Sequence, residues 1–188
     1  TNTGRYIRAV LWDMDGTLMD SQPLWDEFFR RCCQERGGTV TPEQVAGIAG
    51  ASIARTCELI AETGATASPE DPATAEVFAK ISAQVEAAVR ADPPILPGAR
   101  NITATLNEVG LAQVIVTQSP RPIVEAVAHA LGDVFVELVT GDDGLPGKPT
   151  PAPYAAAIEL LGLSPEECVV VEDSATGAAS ARSNNLRV

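Results

Sequence analysis

The stretch VLWDMDGTLMD, Val10 to Asp20, runs an apolar segment straight into Asp13 and Asp15, with Gly16 and Thr17 following and Asp20 closing it. Two carboxylates this close repel unless a cation lies against them. The stretch therefore reads either as an Asp-Gly turn or as an acidic site at the end of a strand. It is not an EF-hand loop, because the later ligands and the closing Glu are missing. Taken alone, DMDGT does not decide between turn and site.

Working outward, IRAVLW (Ile7 to Trp12) is joined by three more segments rich in apolar and β-branched residues: AQVIVT (Ala112 to Thr117), VFVELV (Val134 to Val139) and CVVVE (Cys168 to Glu172). Each reads as a strand, the first and last as strands buried on both faces. Helical patterns follow Pro97 (Gly98 to Val109), start at Pro120 (to Leu131) and start at Pro151 (to Leu161). Prolines suit the first turn of a helix, where no backbone N–H is needed. Strands and helices in this alternation predict an α/β fold with a parallel sheet. The first crossover, Met19 to Leu96, is far longer than one connecting helix requires, and marks an insertion. Inside it, Leu24, Phe28 and Cys32 share one face of Pro23 to Glu35, and Val77, Ile81, Val85, Ala88 and Val89 form a stripe along Pro72 to Ala91. The insertion is expected to be a small helical domain, with the Pro/Gly-rich stretch Asp92 to Gly98 as the hinge back into the sheet.

The bulk properties exclude several classes. A chain of 188 residues, 45% apolar, can bury a real core without needing a second independent domain. No apolar run reaches the roughly 18 residues of a membrane span, and the opening TNTGRYIRAV lacks the layout of a signal peptide, so a cytoplasmic protein is expected. Cys32, Cys33, Cys57 and Cys168 fit no metal spacing and read as free thiols. A net charge of −12 argues against nucleic acid or an anionic membrane as partner. An anionic small substrate would need a locally placed cation.

In an open parallel sheet ligands bind beyond the carboxyl ends of the strands. Here Asp13 and Asp15 follow the first strand, Thr117 and Ser119 the second, and Glu172 and Asp173 the fourth, while Lys148 lies in the loop after the third. Each has an ordinary reading alone. Lys148 could be a solvated lysine, VVVEDS a strand end with an acidic helix cap, and His129, the only histidine, a structural residue of a helix. GDDGLPGKP is not a phosphate loop, since Asp142 and Pro149 replace its glycine and its Ser or Thr. Polar groups at four successive strand ends are not expected of turns.

With DMDGT, VTQS, GKPTP and VVVEDS in this order, the chain resembles the haloacid dehalogenase superfamily, in its phosphatase branch with a helical cap inserted after the first motif. The resemblance implies a three-layer Rossmann-like core, residues 1–18 and 97–188, and a helical cap domain, residues 19–96. It implies that Asp13 is a nucleophile, Asp15 a general acid and base, and that Thr117, Gln118 and Lys148 hold the transferring phosphoryl group. It implies Mg²⁺ as cofactor, held by Asp13, the Asp15 backbone carbonyl and Asp173, with Glu172 in support. The partner is then a small phosphorylated metabolite, and the chain a monomer or a dimer. DSQPLWDEF (Asp20 to Phe28) resembles the sugar-phosphate phosphatases of the branch, which points to a sugar or polyol phosphate. The alternatives are a sugar-phosphate mutase like β-phosphoglucomutase, against which the lack of a histidine near Trp25 counts, and a non-catalytic regulatory member. GIAGASIART (Gly47 to Thr56) resembles the specificity loop of the cap, so that Gly47, Gly50, Ser52 and Arg55 join Trp25 as substrate-facing residues; it reads equally as a helix start capped by Ser52. Relatives continue past the fourth motif into another strand and helix, whereas this sequence stops at Leu186, Arg187 and Val188. Either the residues stop short of the natural chain or that edge of the sheet is missing.

Overall fold

In the computed structural model, residues 6–188 are described; the TNTGR segment that opens the chain lies outside them. Four parallel strands, β1 (Ala9–Trp12), β2 (Ala112–Val116), β3 (Glu137–Val139) and β4 (Cys168–Val171), form one sheet in the order β3-β2-β1-β4. Ala9 pairs with Ala112 on one side and Cys168 on the other, so the ends of β1, β2 and β4 come level. The central strand explains the uninterrupted apolar run. Ala9 and Leu11 pack on one face with Val114, Val116, Val170 and Tyr154, whereas Val10 and Trp12 pack on the other with Ile115, Ile123 and Val127. Alternate side chains of a strand point to opposite faces, so a strand covered twice must be apolar throughout. Gln113 is the polar exception and is satisfied: the Trp12 indole N–H donates to its Oε1 (3.0 Å) and its Nε2 donates to the Thr103 carbonyl (2.8 Å).

Two expectations for the strands need correction. VFVELV yields only Glu137–Val139, with Val136 N–H donating to the Gln113 carbonyl (2.8 Å) just before it. The last strand is not covered on both faces. It lies beyond β1 at the sheet edge, where Val171 is exposed; there Val170 N–H also donates to the Arg187 carbonyl (2.8 Å).

The helices α1 (Gln22–Glu35), α2 (Pro42–Ala46), α3 (Ile53–Glu62) and α4 (Pro72–Ala91) fill the first crossover. Thr41 and Gln44 form a reciprocal capping box at α2, and the Ser52 and Asp71 side chains accept N–H groups at the starts of α3 and α4. Helix α4 packs on α1 and α3 and also touches α6 (Arg121–Ala130). Its stripe Val77, Ile81, Val85 and Val89 is buried with Phe29, Cys32, Leu59 and Ile60. The chain leaves and rejoins the sheet side by side: Asp20 N–H donates to the Pro94 carbonyl (2.9 Å) and Leu96 N–H to the Leu18 carbonyl (3.0 Å). The remaining helices are α5 (Ala99–Glu108), α7 (Ala152–Leu161) and α8 (Ala175–Arg182). The four cysteines are free. No helix among the described residues is long and apolar enough to cross a membrane.

Candidate active site

The DMDGT loop leaves β1 as a tight turn. Asp13 N–H continues the ladder to the Val171 carbonyl (3.0 Å), and the Thr17, Leu18 and Met19 N–H groups all converge on the Met14 carbonyl. Gly16 has φ +90°, and a Cβ there would overlap the Asp173 carboxylate, so both backbone and space demand glycine. The turn brings Asp13 and Asp15 to the sheet edge without pointing them at the same partners.

Asp13 faces Lys148. The ammonium Nζ lies 2.7 Å from Asp13 Oδ1 and 2.6 Å from Glu172 Oε1, with the lysine side chain only 4% exposed and that of Glu172 fully buried. It also sits 5.1 Å above the Tyr154 ring, a cation–π contact. Glu172 is held from its other oxygen by the Ser174 N–H and hydroxyl, both at 2.8 Å. A Cβ at Gly177 would overlap this carboxylate, so α8 approaches it only because that residue is glycine. Asp13 Oδ2 accepts from the Thr17 hydroxyl (3.1 Å). Burial pushes the Asp13 carboxyl up to about 7 against the pull of Lys148, and the Glu172 and Asp15 charges push the same way as burial. Burial raises Asp173 as well, with Glu172 beside it adding to the rise. Burial would also raise Glu172, but Lys148 and Ser174 outweigh it and hold that carboxyl low.

Asp15 is gripped by hydroxyls instead. Ser119 Oγ (2.7 Å) and Thr117 Oγ1 (3.0 Å) donate to its Oδ2, and Ser21 Oγ donates to its Oδ1. One oxygen each of Asp13, Glu172 and Asp173 lies within 4.8 Å of the others. These are hard oxygen donors carrying more negative charge than one lysine offsets, which is the donor chemistry that Mg²⁺ prefers.

A cavity of about 410 Å³ opens onto this cluster. Asp13, Asp15, Thr117, Gln118, Lys148 and Asp173 line it, together with Trp25 and Gly50 from the inserted helices. Glu172 stands behind Lys148 rather than at the surface of the cavity. Gly47, Ser52 and Arg55 do not line it. Gln118 lines the cavity with its amide tied to the inserted helices, Nε2 donating to the Gly50 carbonyl (2.6 Å). Ser52 caps α3 and borders a second cavity of about 350 Å³, which Gln118 also lines. Arg55 is turned to its own helix, with its guanidinium 2.7 Å from Glu58 and 2.8 Å from Glu62. Three contributors were not singled out from sequence: Tyr154 beneath Lys148, Ser21 on Asp15, and Phe78, which stacks on Trp25 with ring centroids 6.4 Å apart. Ser21 stands next to the first motif in DSQPLW, so proximity in sequence could have flagged it; nothing local marks Tyr154 or Phe78.

The chain is 29% identical over 190 residues to hexitol phosphatase B of Escherichia coli K12, spanning 99% of this chain and 84% of that one. It is 33% identical over 174 residues to hexitol phosphatase A of the same organism, spanning 92% and 77%. The structure of CbbY from Rhodobacter sphaeroides in complex with phosphate superposes with a TM-score of 0.81 at 25% identity, covering 96% of this chain and 84% of the other. The family model described as haloacid dehalogenase-like hydrolase matches residues 7–185, and with that match over nearly the whole chain the protein belongs to the haloacid dehalogenase-like hydrolase family.

Proposed function

We propose that the protein is a Mg²⁺-dependent phosphatase that hydrolyses a sugar or polyol phosphate through an aspartyl phosphate on Asp13. The observation that carries this reading is the division of labour between two neighbouring acids: Asp13 is tied to a buried ammonium, and Asp15 to three hydroxyls, at the mouth of one cavity. The names of the relatives, two of them hexitol phosphatases, support the substrate class.

An ester phosphate is anionic and repels a carboxylate, so the approach to Asp13 must be neutralised. Lys148 supplies one positive charge at Asp13, and Glu172 and Tyr154 hold it in place. Mg²⁺ held by Asp13, Asp173 and the Asp15 carbonyl, with Glu172 in support, would supply the remaining charge neutralisation at the phosphoryl oxygens. The Asp13 carboxylate oxygen then attacks phosphorus, the P–O bond to the substrate breaks, and protonated Asp15 gives its proton to the departing alkoxide. In the second half, Asp15 takes a proton from a water whose oxygen attacks phosphorus, and the bond to Asp13 breaks to release phosphate. Thr117 stands between Asp15 and the phosphoryl position and orients both. We further propose that residues 19–96 act as the cap over a core of residues 1–18 and 97–188, with Trp25 and Gly50 facing the substrate and Gln118 linking core to cap. On this assignment Ser52 shapes the cap loop as a helix cap and Arg55 contributes no charge to the substrate.

The test is phosphate release from a panel of sugar and polyol phosphates, with Mg²⁺ and after chelation by EDTA. Release that stops on chelation and returns with Mg²⁺ is expected. Full activity in EDTA contradicts the metal dependence.

A further inference from the structure

The cavity is charged at one end only. Five charged side chains line it, the carboxylates of Asp13, Asp15, Asp20 and Asp173 and the ammonium of Lys148. All but Asp20 belong to the acidic cluster and its lysine. On the side formed by the inserted helices, the lining is Trp25, Ile48, Ile53 and Phe78 with the uncharged Gln22, Thr56 and small residues between, and no basic side chain is among the described residues lining it. The nearest cation in sequence, Arg55, is occupied by Glu58 and Glu62. Trp25 and Phe78 are half-buried and stacked at an interplanar angle of 21°, so they present a firm aromatic surface.

From this we infer that the substrate carries a single phosphoryl group and an uncharged body with an apolar face, and that Trp25, Ile48, Ile53 and Phe78 select for it. The inference rests on the phosphatase reading above and narrows its substrate class. With the phosphoryl group at Lys148, the other end of the substrate lies against the aromatic and aliphatic wall. The C–H face of a sugar ring or a hydroxylated chain packs on an indole without loss, and Asp20 and Gln22 at the edge offer polar atoms to hydroxyl groups. A second phosphate, or a carboxylate, would lose its water there with no cation to repay the cost. The same wall disfavours a phosphate-shuttling mutase, which must hold a doubly phosphorylated sugar with one phosphate away from Lys148.

The experiment compares kcat/KM of the Mg²⁺-loaded enzyme for hexose 6-phosphates and hexitol phosphates with that for the matching hexose 1,6-bisphosphates and for phosphoglycolate. Monophosphates with neutral bodies are expected to be favoured by about tenfold or more, the scale of an unpaired like charge in a partly desolvated site. Ile53→Arg, which places a cation on the wall, should shift the bisphosphate-to-monophosphate ratio by about tenfold toward the bisphosphate. Equal or better turnover of bisphosphates or phosphoglycolate by the wild type overturns the inference and leaves the phosphatase reading standing. An unchanged ratio in a folded Ile53→Arg enzyme overturns the placement of the distal end. Phosphate release from none of the substrates overturns the phosphatase reading itself and the inference with it.

Discussion

Asp13 and Asp15 differ in what their oxygens already hold, and the difference makes their roles separable by mutation. On the proposed roles, Asp15→Asn removes the proton donor but keeps the backbone carbonyl proposed for the metal, so turnover of an alkyl phosphate should fall by roughly 10² or more. An activated aryl phosphate, whose leaving group needs no proton, should lose much less in the first step. Equal slowing of phosphoenzyme formation from both esters contradicts the assignment of Asp15 as the acid. Lys148 gives a second test. With the side chain 4% exposed between Asp13 and Glu172, Lys148→Met strands two buried carboxylates, and a loss of about 3 kcal/mol is expected in urea unfolding without divalent metal. Adding Glu172→Gln should recover part of that stability and none of the activity. If the single variant is as stable as the wild type, the ion pairs do not hold the site as described. Asp13, Asp15, Lys148 and Asp173 stood out in the sequence because each sits in a short motif at a strand end or, for Lys148, in the loop that follows one. Tyr154 was not, since an aromatic residue in an α7 pattern reads as core, and only the fold shows a lysine above its ring.

At the level of elements, the last βα unit is built around a missing side chain. Helix α8 begins at the Ser174 cap, whose side chain and N–H also bind Glu172, and Gly177 lets the first turn close over that carboxylate. Gly177→Ala should therefore act on the site rather than raise helix stability as a Gly-to-Ala change usually does. We expect a destabilisation of about 1–3 kcal/mol by overpacking, together with lower kcat/KM, measured by chemical unfolding and by phosphate release. A variant that gains stability and keeps its activity contradicts the close approach. Element types were readable because β1 and β2 are apolar runs between turn residues and α1 and α4 carry apolar stripes. The short β3 and the exposed Val171 were not, because whether an apolar residue is covered at an edge depends on neighbours that are distant in sequence. Ser52 shows the same limit on function: a helix cap and a substrate-facing serine look alike until the helix is placed.

For the whole molecule, the strand order β3-β2-β1-β4 sets β1 between β2 and β4, so that motifs from Asp13 to Asp173 meet at one sheet edge. Alternating strands and helices predict the parallel sheet, but no local pattern states which strand lies centrally: β1 and β4 both read as apolar runs, and only β1 is buried throughout. The long first crossover likewise announces inserted helices without showing that Trp25, Phe78 and Ile53 close one side of the cavity or that Arg55 turns away from it. The proposed mechanism depends on a covalent bond between phosphorus and Asp13. The most direct measurement is rapid acid quenching of the Mg²⁺-loaded enzyme with ³²P-labelled sugar phosphate, followed by mapping of the label. Label is expected on the peptide that contains Asp13, formed and lost at rates matching turnover, with none in Asp13→Asn. Phosphate release by the wild type with label on another residue, or with Asp13→Asn still labelled, contradicts it.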